Sequence, residues 1–238
     1  MKLVIGGSTG FVAAELISQA LKNPAITSIV ALGRRMAPVP SEADPAAAKL
    51  KSIICDNFER YSDPVKKEFE DADACIWTIA VTPMKLNTVP WEETCKISRD
   101  YATTAIQALH ALRQTPDKPR RFIYMSGHFA PRSRAEVPEE LQNHGLIDYG
   151  LLRGETEALV LAYGEQSQGA VQSCVVKPGL IDAPGKEKRE IPGLPHIDLP
   201  DIAAALLDQV VHGFEEDTLS NSDLIRIGQR ARAGELTA

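Results

Sequence analysis

The first thirteen residues constrain the fold more than any other stretch of the chain. Residues 2–5 form a short apolar run of buried-strand length. Gly7-Ser8-Thr9-Gly10-Phe11-Val12-Ala13 follows at once, and Ala13, Leu16, Ile17, Ala20 and Leu21 then recur at helical spacing. A strand, a glycine-rich turn and a helix in that order open a dinucleotide-binding unit. Gly7 permits the sharp turn, Gly10 lets the backbone approach a pyrophosphate, and Ala13 is small enough for the helix to pack closely on the strand. The free amides and positive dipole end of the helix then face the phosphates. Glycine-rich turns also occur without a ligand. The clean strand before this one and the clean helix after it give it weight, and they make Gly7, Ser8, Thr9, Gly10, Phe11 and Val12 the expected pyrophosphate contacts.

The same alternation continues along the chain. Strands are expected at 28–32, 50–55, 74–80, 122–125 and 173–176, with a last one at 224–227. Helices are expected at 65–69, 91–113, 150–163 and from 200 onward. In the long helix Ile97, Tyr101, Ala105, Ala108, Leu109 and Leu112 form the expected buried stripe; in the next, Leu152, Thr156, Leu159 and Tyr163 share a face. Residues 36–48 read as a surface loop, 131–144 as a polar lid or substrate loop, and 182–199 as a mobile loop over the site. Alternating strands and helices imply an α/β fold, a Rossmann-type doubly wound parallel sheet covered on both sides. The 238 residues fit one domain, residues 1–238, with a small C-terminal substrate-covering part at about 180–238.

Bulk properties narrow the partners. A net charge of −6 argues against nucleic acid as the main partner. No apolar stretch is long enough to span a membrane, and the apolar N-terminal run is cut short by glycines, so neither a membrane segment nor secretion is expected. Cys55, Cys75, Cys95 and Cys174 form no C-x-x-C pair and no metal-like cluster. They read as free thiols of a cytoplasmic protein, and no metal is expected.

Residues at the strand ends carry the expected chemistry. The second strand ends in Gly33-Arg34-Arg35, where a carboxylate would bind a ribose 2′-hydroxyl and a basic residue accommodates a 2′-phosphate. Two arginines favour NADP (NADPH) over NAD. Asp56-Asn57 closes the third strand, either touching the adenine or forming an Asx turn. Ser126 ends the fifth strand, and Tyr149 and Arg153 lie four residues apart, on one helix face. Hydride transfer to a carbonyl leaves an alkoxide that needs a proton. A tyrosine beside a cation supplies one, while a serine holds the carbonyl oxygen. His128 reads as a substitute acid or a substrate contact, His196 as a residue that reaches the substrate, and Lys177 and Pro178 stand near the cofactor's end of the sheet.

These stretches resemble the short-chain dehydrogenase/reductase superfamily, and within it the atypical branch of NmrA-like and Tat-interacting-protein-like proteins. The resemblance runs along essentially the whole chain through residues 7–13, 32–35, 125–127, 149–157 and 177–179. It implies Ser126, Tyr149 and Arg153 as the catalytic Ser, Tyr and Lys positions. The family pattern is Tyr-x-x-x-Lys, and this chain has arginine instead. Arginine keeps the charge but is planar, bulkier and no proton relay. The leading expectation is an NADP-dependent oxidoreductase acting on a carbonyl or alcohol group of a small organic molecule, as monomer or homodimer. The alternatives are a redox-neutral isomerase, dehydratase or cyclase on the same scaffold, or a non-catalytic NADP-sensing regulator.

Overall fold

The computed structural model describes residues 1–38, 45–112, 118–143 and 145–235. Parts of the expected 36–48 loop, the end of the 91–113 helix and His144 lie outside the described residues.

Strand β1 (Lys2–Gly6) leads into α1 (Phe11–Lys22), β2 (Ser28–Gly33), β3 (Leu50–Ile54), α2 (Asp63–Glu70) and β4 (Ala74–Trp77). Helix α3 (Trp91–Cys95) runs through a widened π-type turn at Lys96–Asp100 into α4 (Tyr101–Ala111). Then come β5 (Arg120–Met125), the short α5 (Glu139–Asn143), the long α6 (Ile147–Gln166) and β6 (Val171–Lys177). The chain ends with β7 (Leu180–Asp182), β8 (His196–Asp198), α7 (Leu199–His212), β9 (Thr218–Ser220) and α8 (Asn221–Glu235). Seven parallel strands lie in the order β3-β2-β1-β4-β5-β6-β9, and β7 pairs with β8 in a separate parallel ribbon. The order reverses between β1 and β4, which opens a crevice at their carboxyl ends.

Alternation along the strands builds two cores. Leu3, Ile5, Ile29, Ile76, Ile123 and Val176 face α1, α7 and α8. Val4, Val30, Cys75, Trp77, Phe122, Tyr124 and Val175 face α2, α4 and α6. Both faces are covered, so the strands read as nearly continuous apolar runs. At the amino end of β5, Arg120 donates to the carbonyls of Phe69 (2.8 Å), Glu70 and Leu109 (2.6 Å), and Arg121 to those of Val210 (2.7 Å) and Val211 (3.0 Å). Two adjacent guanidinium groups thereby cap the carboxyl ends of α2, α4 and α7.

Four expectations are corrected. Residues 224–227 lie in α8, and the seventh strand is β9. Leu224 and Ile227 are both fully buried, three residues apart on one helix face. Strand β4 stops at Trp77, short of the expected residue 80. The buried stripe of the long helix is Thr94, Ser98, Ala102, Ala105, Ile106 and Leu109, because the π-type turn shifts its phase and leaves Ile97 and Tyr101 on the crevice. Leu159 is exposed. In the 180–238 part, β9 joins the sheet, and α7 and α8 pack on its face.

All four cysteines are free. Burial pushes the Cys55 thiol up to about 11 and Cys174 up to about 12, which leaves them unreactive. The described residues contain no cluster of three metal-ligating groups and no helix long and apolar enough to cross a membrane.

Candidate active site

A cleft of about 380 Å³ lies in the crevice, lined among others by Gly7, Thr9, Gly10, Arg34, Arg35, Asp56, Phe58, Lys85 and Tyr101. Its size suits a small-molecule ligand. Gly7 has φ +88°, and a Cβ there would lie 2.6 Å from Thr78 Oγ1, so both the turn and the space require glycine. The amides of Gly7 and Ser8 both donate to Leu32 O, at 2.9 and 3.1 Å, and Gly10 N donates to Gly7 O. Helix α1 starts with no side-chain cap and no acidic residue in its first turn. Its first bonded amide is Ala14 N, on Gly10 O. The amides of Phe11, Val12 and Ala13 therefore stay open for an anion.

The structure separates the expected contacts. Gly7, Thr9, Gly10, Arg34, Arg35 and Asp56 face the cleft. Ser8 does not: its amide is spent on Leu32 and its hydroxyl is buried without a partner. Phe11, Val12 and the buried Pro178 are not on the cleft lining. The two readings of Asp56-Asn57 divide between the residues. Asn57 Oδ1 accepts from Glu59 N (2.8 Å) and Arg60 N (3.1 Å) in an Asx turn, while Asp56 faces the cleft. Phe58 and Tyr101 stack at 5.3 Å as an aromatic wall.

Ser126, Tyr149 and Arg153 lie beyond this cleft. The Tyr149 hydroxyl donates to Val81 O at 2.6 Å, and Val81 is part of the cleft wall. Val81 N donates to Ser98 Oγ (3.1 Å), and Tyr124 donates to Ser98 O (3.1 Å), a carbonyl that the π-type turn leaves accessible. Arg153 is buried. Its guanidinium packs over the Tyr124 ring at 4.9 Å and donates to Met125 O at 2.5 Å, while Nη1 has no partner. The cation expected beside Tyr149 is thus packed against the end of β5.

Ser126 is held by a carboxylate that the sequence reading missed. Its hydroxyl donates to Glu157 Oε1 at 2.6 Å. Glu157 is fully buried and also accepts from Lys177 Nζ (2.8 and 2.9 Å) and Arg132 Nε (3.0 Å). Gly154 makes this possible. A Cβ there would lie 1.9 Å from Pro131 O, so α6 comes against the 131–132 backbone only without a side chain. Tyr149, Arg153 and Glu157 succeed one another at four-residue spacing, and that spacing was the available signal.

The two histidines differ in their surroundings. His128 is held below the ordinary histidine value by burial and by Lys177. His196 Nδ1 bonds Asp182 Oδ2 at 2.9 Å, and this bond raises the imidazole above its ordinary value despite partial desolvation. Burial raises the Asp182 carboxyl, but hydrogen bonds from Lys188 and His196 outweigh it and hold the group low. The bond ties β7 to β8 at the base of the 183–195 arm. Its contribution is complete below the ordinary histidine pKa and is lost as pH rises through the raised one. In an NMR titration the His196 midpoint lies above that of an exposed histidine, and Asp182→Asn brings it down; an unchanged midpoint would remove Asp182 as the cause.

A larger open groove of about 590 Å³ lies at the amino ends of the strands, beside Val171 and the Phe214–Asp217 turn. Glu165, Glu215, Glu216 and Asp217 line it, a poor match for phosphates.

No family model matches the chain, and the search of curated proteins finds no match. Solved structures do match. The dTDP-glucose 4,6-dehydratase DesIV from Streptomyces venezuelae, with NAD and TYD bound, superposes with a TM-score of 0.69 at 12% identity, over 98% of this chain and 81% of that one. The oxidoreductase ylbE from Lactococcus lactis gives 0.64 at 17%, over 97% and 96%. Vestitone reductase from alfalfa gives 0.59 at 16%, over 92% and 75%. The likeness is one of fold. It is a Rossmann-like α/β fold, a parallel sheet flanked by helices.

Proposed function

We propose that the chain is an NADP-dependent oxidoreductase of the short-chain dehydrogenase/reductase type, in its atypical NmrA-like branch, acting on a carbonyl or alcohol group of a small organic molecule. The observation that carries this reading is the cleft itself. It joins an open helix start and a glycine cradle to two exposed arginines after β2 that have no hydrogen-bond or ion-pair partner among the described residues. A Cβ would fill the cradle at Gly7, and the buried, unpartnered Arg153 Nη1 is a donor of the kind a ribose hydroxyl satisfies. Both features fit a dinucleotide. The solved structures of like fold include an oxidoreductase, a reductase and an NAD-bound dehydratase, which supports the class.

In this reading Gly7, Thr9, Gly10 and the first amides of α1 hold the diphosphate, and Arg34 and Arg35 hold the 2′-phosphate. Asp56, Phe58 and Tyr101 border the adenosine. The bound nicotinamide supplies or accepts the hydride. Tyr149 exchanges a proton with the substrate oxygen, leaving its bond to Val81 O to do so. The 183–195 arm forms the substrate side. A non-catalytic NADP sensor is the second reading, favoured by one observation: the Ser126 proton is committed to Glu157 and is unavailable to a carbonyl substrate.

Calorimetric titration with NADPH and NADH tests the binding. Tight NADPH and weak NADH binding is expected, and binding of neither would overturn the proposal. Tyr149→Phe then separates the readings. It abolishes NADPH consumption with carbonyl compounds while NADPH affinity stays within about twofold, since one neutral hydrogen bond is lost. Turnover that survives in Tyr149→Phe would move the proton transfer elsewhere.

A further inference from the structure

We infer that Lys85 is a third anion-binding residue of the cleft, and that it meets the diphosphate of the dinucleotide from the side opposite Arg34 and Arg35. The inference rests on the nucleotide-binding reading above and adds a residue and a division of labour to it.

Lys85 stands on a short 3₁₀ segment, Pro83–Thr88, that follows β4. Pro83 opens the turn, Lys85 N donates to Thr82 O at 2.8 Å, and Thr88 Oγ1 donates to Lys85 O at 2.9 Å. Both backbone groups of Lys85 are therefore tied, and the side chain extends from a fixed root. Lys85 lines the same cleft as Gly7, Gly10 and the arginine pair. Its ammonium has no hydrogen-bond or ion-pair partner among the described residues, and neither does the guanidinium of Arg34 or Arg35. Of the two carboxylates on the lining, Glu93 is already paired with Lys96 at 3.3 Å, and Asp56 stands on the β3 side. In a chain of net charge −6, the cleft thus gathers three uncommitted cations.

Topology assigns the cations to different phosphates. In the sheet β1 is flanked by β2 on one side and β4 on the other. The arginines follow β2, the glycine turn follows β1, and Lys85 follows β4. An anion seated at the start of α1 lies between the two sets of cations. The arginines stand where the fold presents the 2′-position of the adenosine ribose. Lys85, across the turn, is left with the group shared by both nicotinamide dinucleotides, the diphosphate. A flexible ammonium suits it, because the contact needs a point charge rather than a planar fork.

The test is calorimetric titration of the whole chain and of Lys85→Ala, Lys85→Arg and the Arg34→Ala/Arg35→Ala pair, each with NADPH and NADH. Lys85→Ala weakens both ligands by the same factor, on the order of tenfold for one charge-assisted contact. Lys85→Arg restores most of it, and the arginine pair weakens NADPH selectively. The melting temperature of ligand-free Lys85→Ala stays at the wild-type value, since the ammonium has no hydrogen-bond or ion-pair partner among the described residues. Unchanged affinity for both nucleotides in Lys85→Ala, or a loss confined to NADPH, would overturn the assignment while leaving the nucleotide reading standing. If the wild type bound neither nucleotide, both would fall.

Discussion

Replacing Glu157 by alanine lowers the unfolding free energy by about 3–5 kcal/mol, the range for removing one member of a buried ion pair. The carboxylate is fully buried and is the common acceptor for Ser126, Lys177 and Arg132. Without it Lys177, only about a fifth exposed, keeps a single carbonyl partner, Ala130 O, and Arg132 keeps Thr218 Oγ1. Glu157→Gln loses less, because the amide oxygen still accepts one of the three donors. The double variant Glu157→Leu/Lys177→Met recovers part of the loss, since it removes a stranded charge together with its partner. Urea unfolding of the four proteins measures these differences. A loss under about 1 kcal/mol for Glu157→Ala would mean that the cluster behaves like a solvated surface pair.

Replacing Arg34 and Arg35 together by alanine weakens NADPH binding by about a hundredfold and NADH binding by less than threefold, as expected for two charge-assisted contacts to a phosphate that only one ligand carries. Both side chains are exposed and make no hydrogen bond or ion pair among the described residues, so the fold is preserved without them. The NADPH advantage also shrinks with added salt, because exposed charges are screened. Titration of both nucleotides at two ionic strengths reads both effects. Equal losses for NADPH and NADH would move the arginines from the 2′-phosphate to the shared part of the ligand.

The sheet was legible because its signal is local. Each strand is an apolar run followed by a turn residue, and residues 7–13 carry the chirality and spacing of a βα unit in sequence. The misplaced last strand shows where such reading stops. Leu224-Ile225-Arg226-Ile227 satisfies a period of two as well as a helical one, and only the packing of α8 on α7 decides between them. The phase of the α3–α4 stripe had no local signal either, since Ser98, in the π-type turn, bonds Val81 and Tyr124 from other elements. Of the candidate site, the cleft-facing glycines and arginines follow from their positions at strand ends. Glu157 was hidden for a physical reason. A glutamate in a long helix normally faces water, and its burial depends on Arg132 and Lys177, which approach from 25 residues before it and 20 after.

The paired guanidinium groups at the start of β5 have a bearing on engineering. Arg120 and Arg121 fasten three helix ends to one edge of the sheet, all at the end remote from the cleft. The floor of the molecule is clamped by contacts that none of the ligand-facing segments share. The 183–195 arm, the substrate side in the reading proposed above, is accordingly an interchangeable part on a fixed chassis. Grafting a foreign loop there to redirect the chain toward new ligands leaves its anchorage intact, whereas replacing Arg120 loosens α2 and α4 on one face and replacing Arg121 loosens α7 on the other.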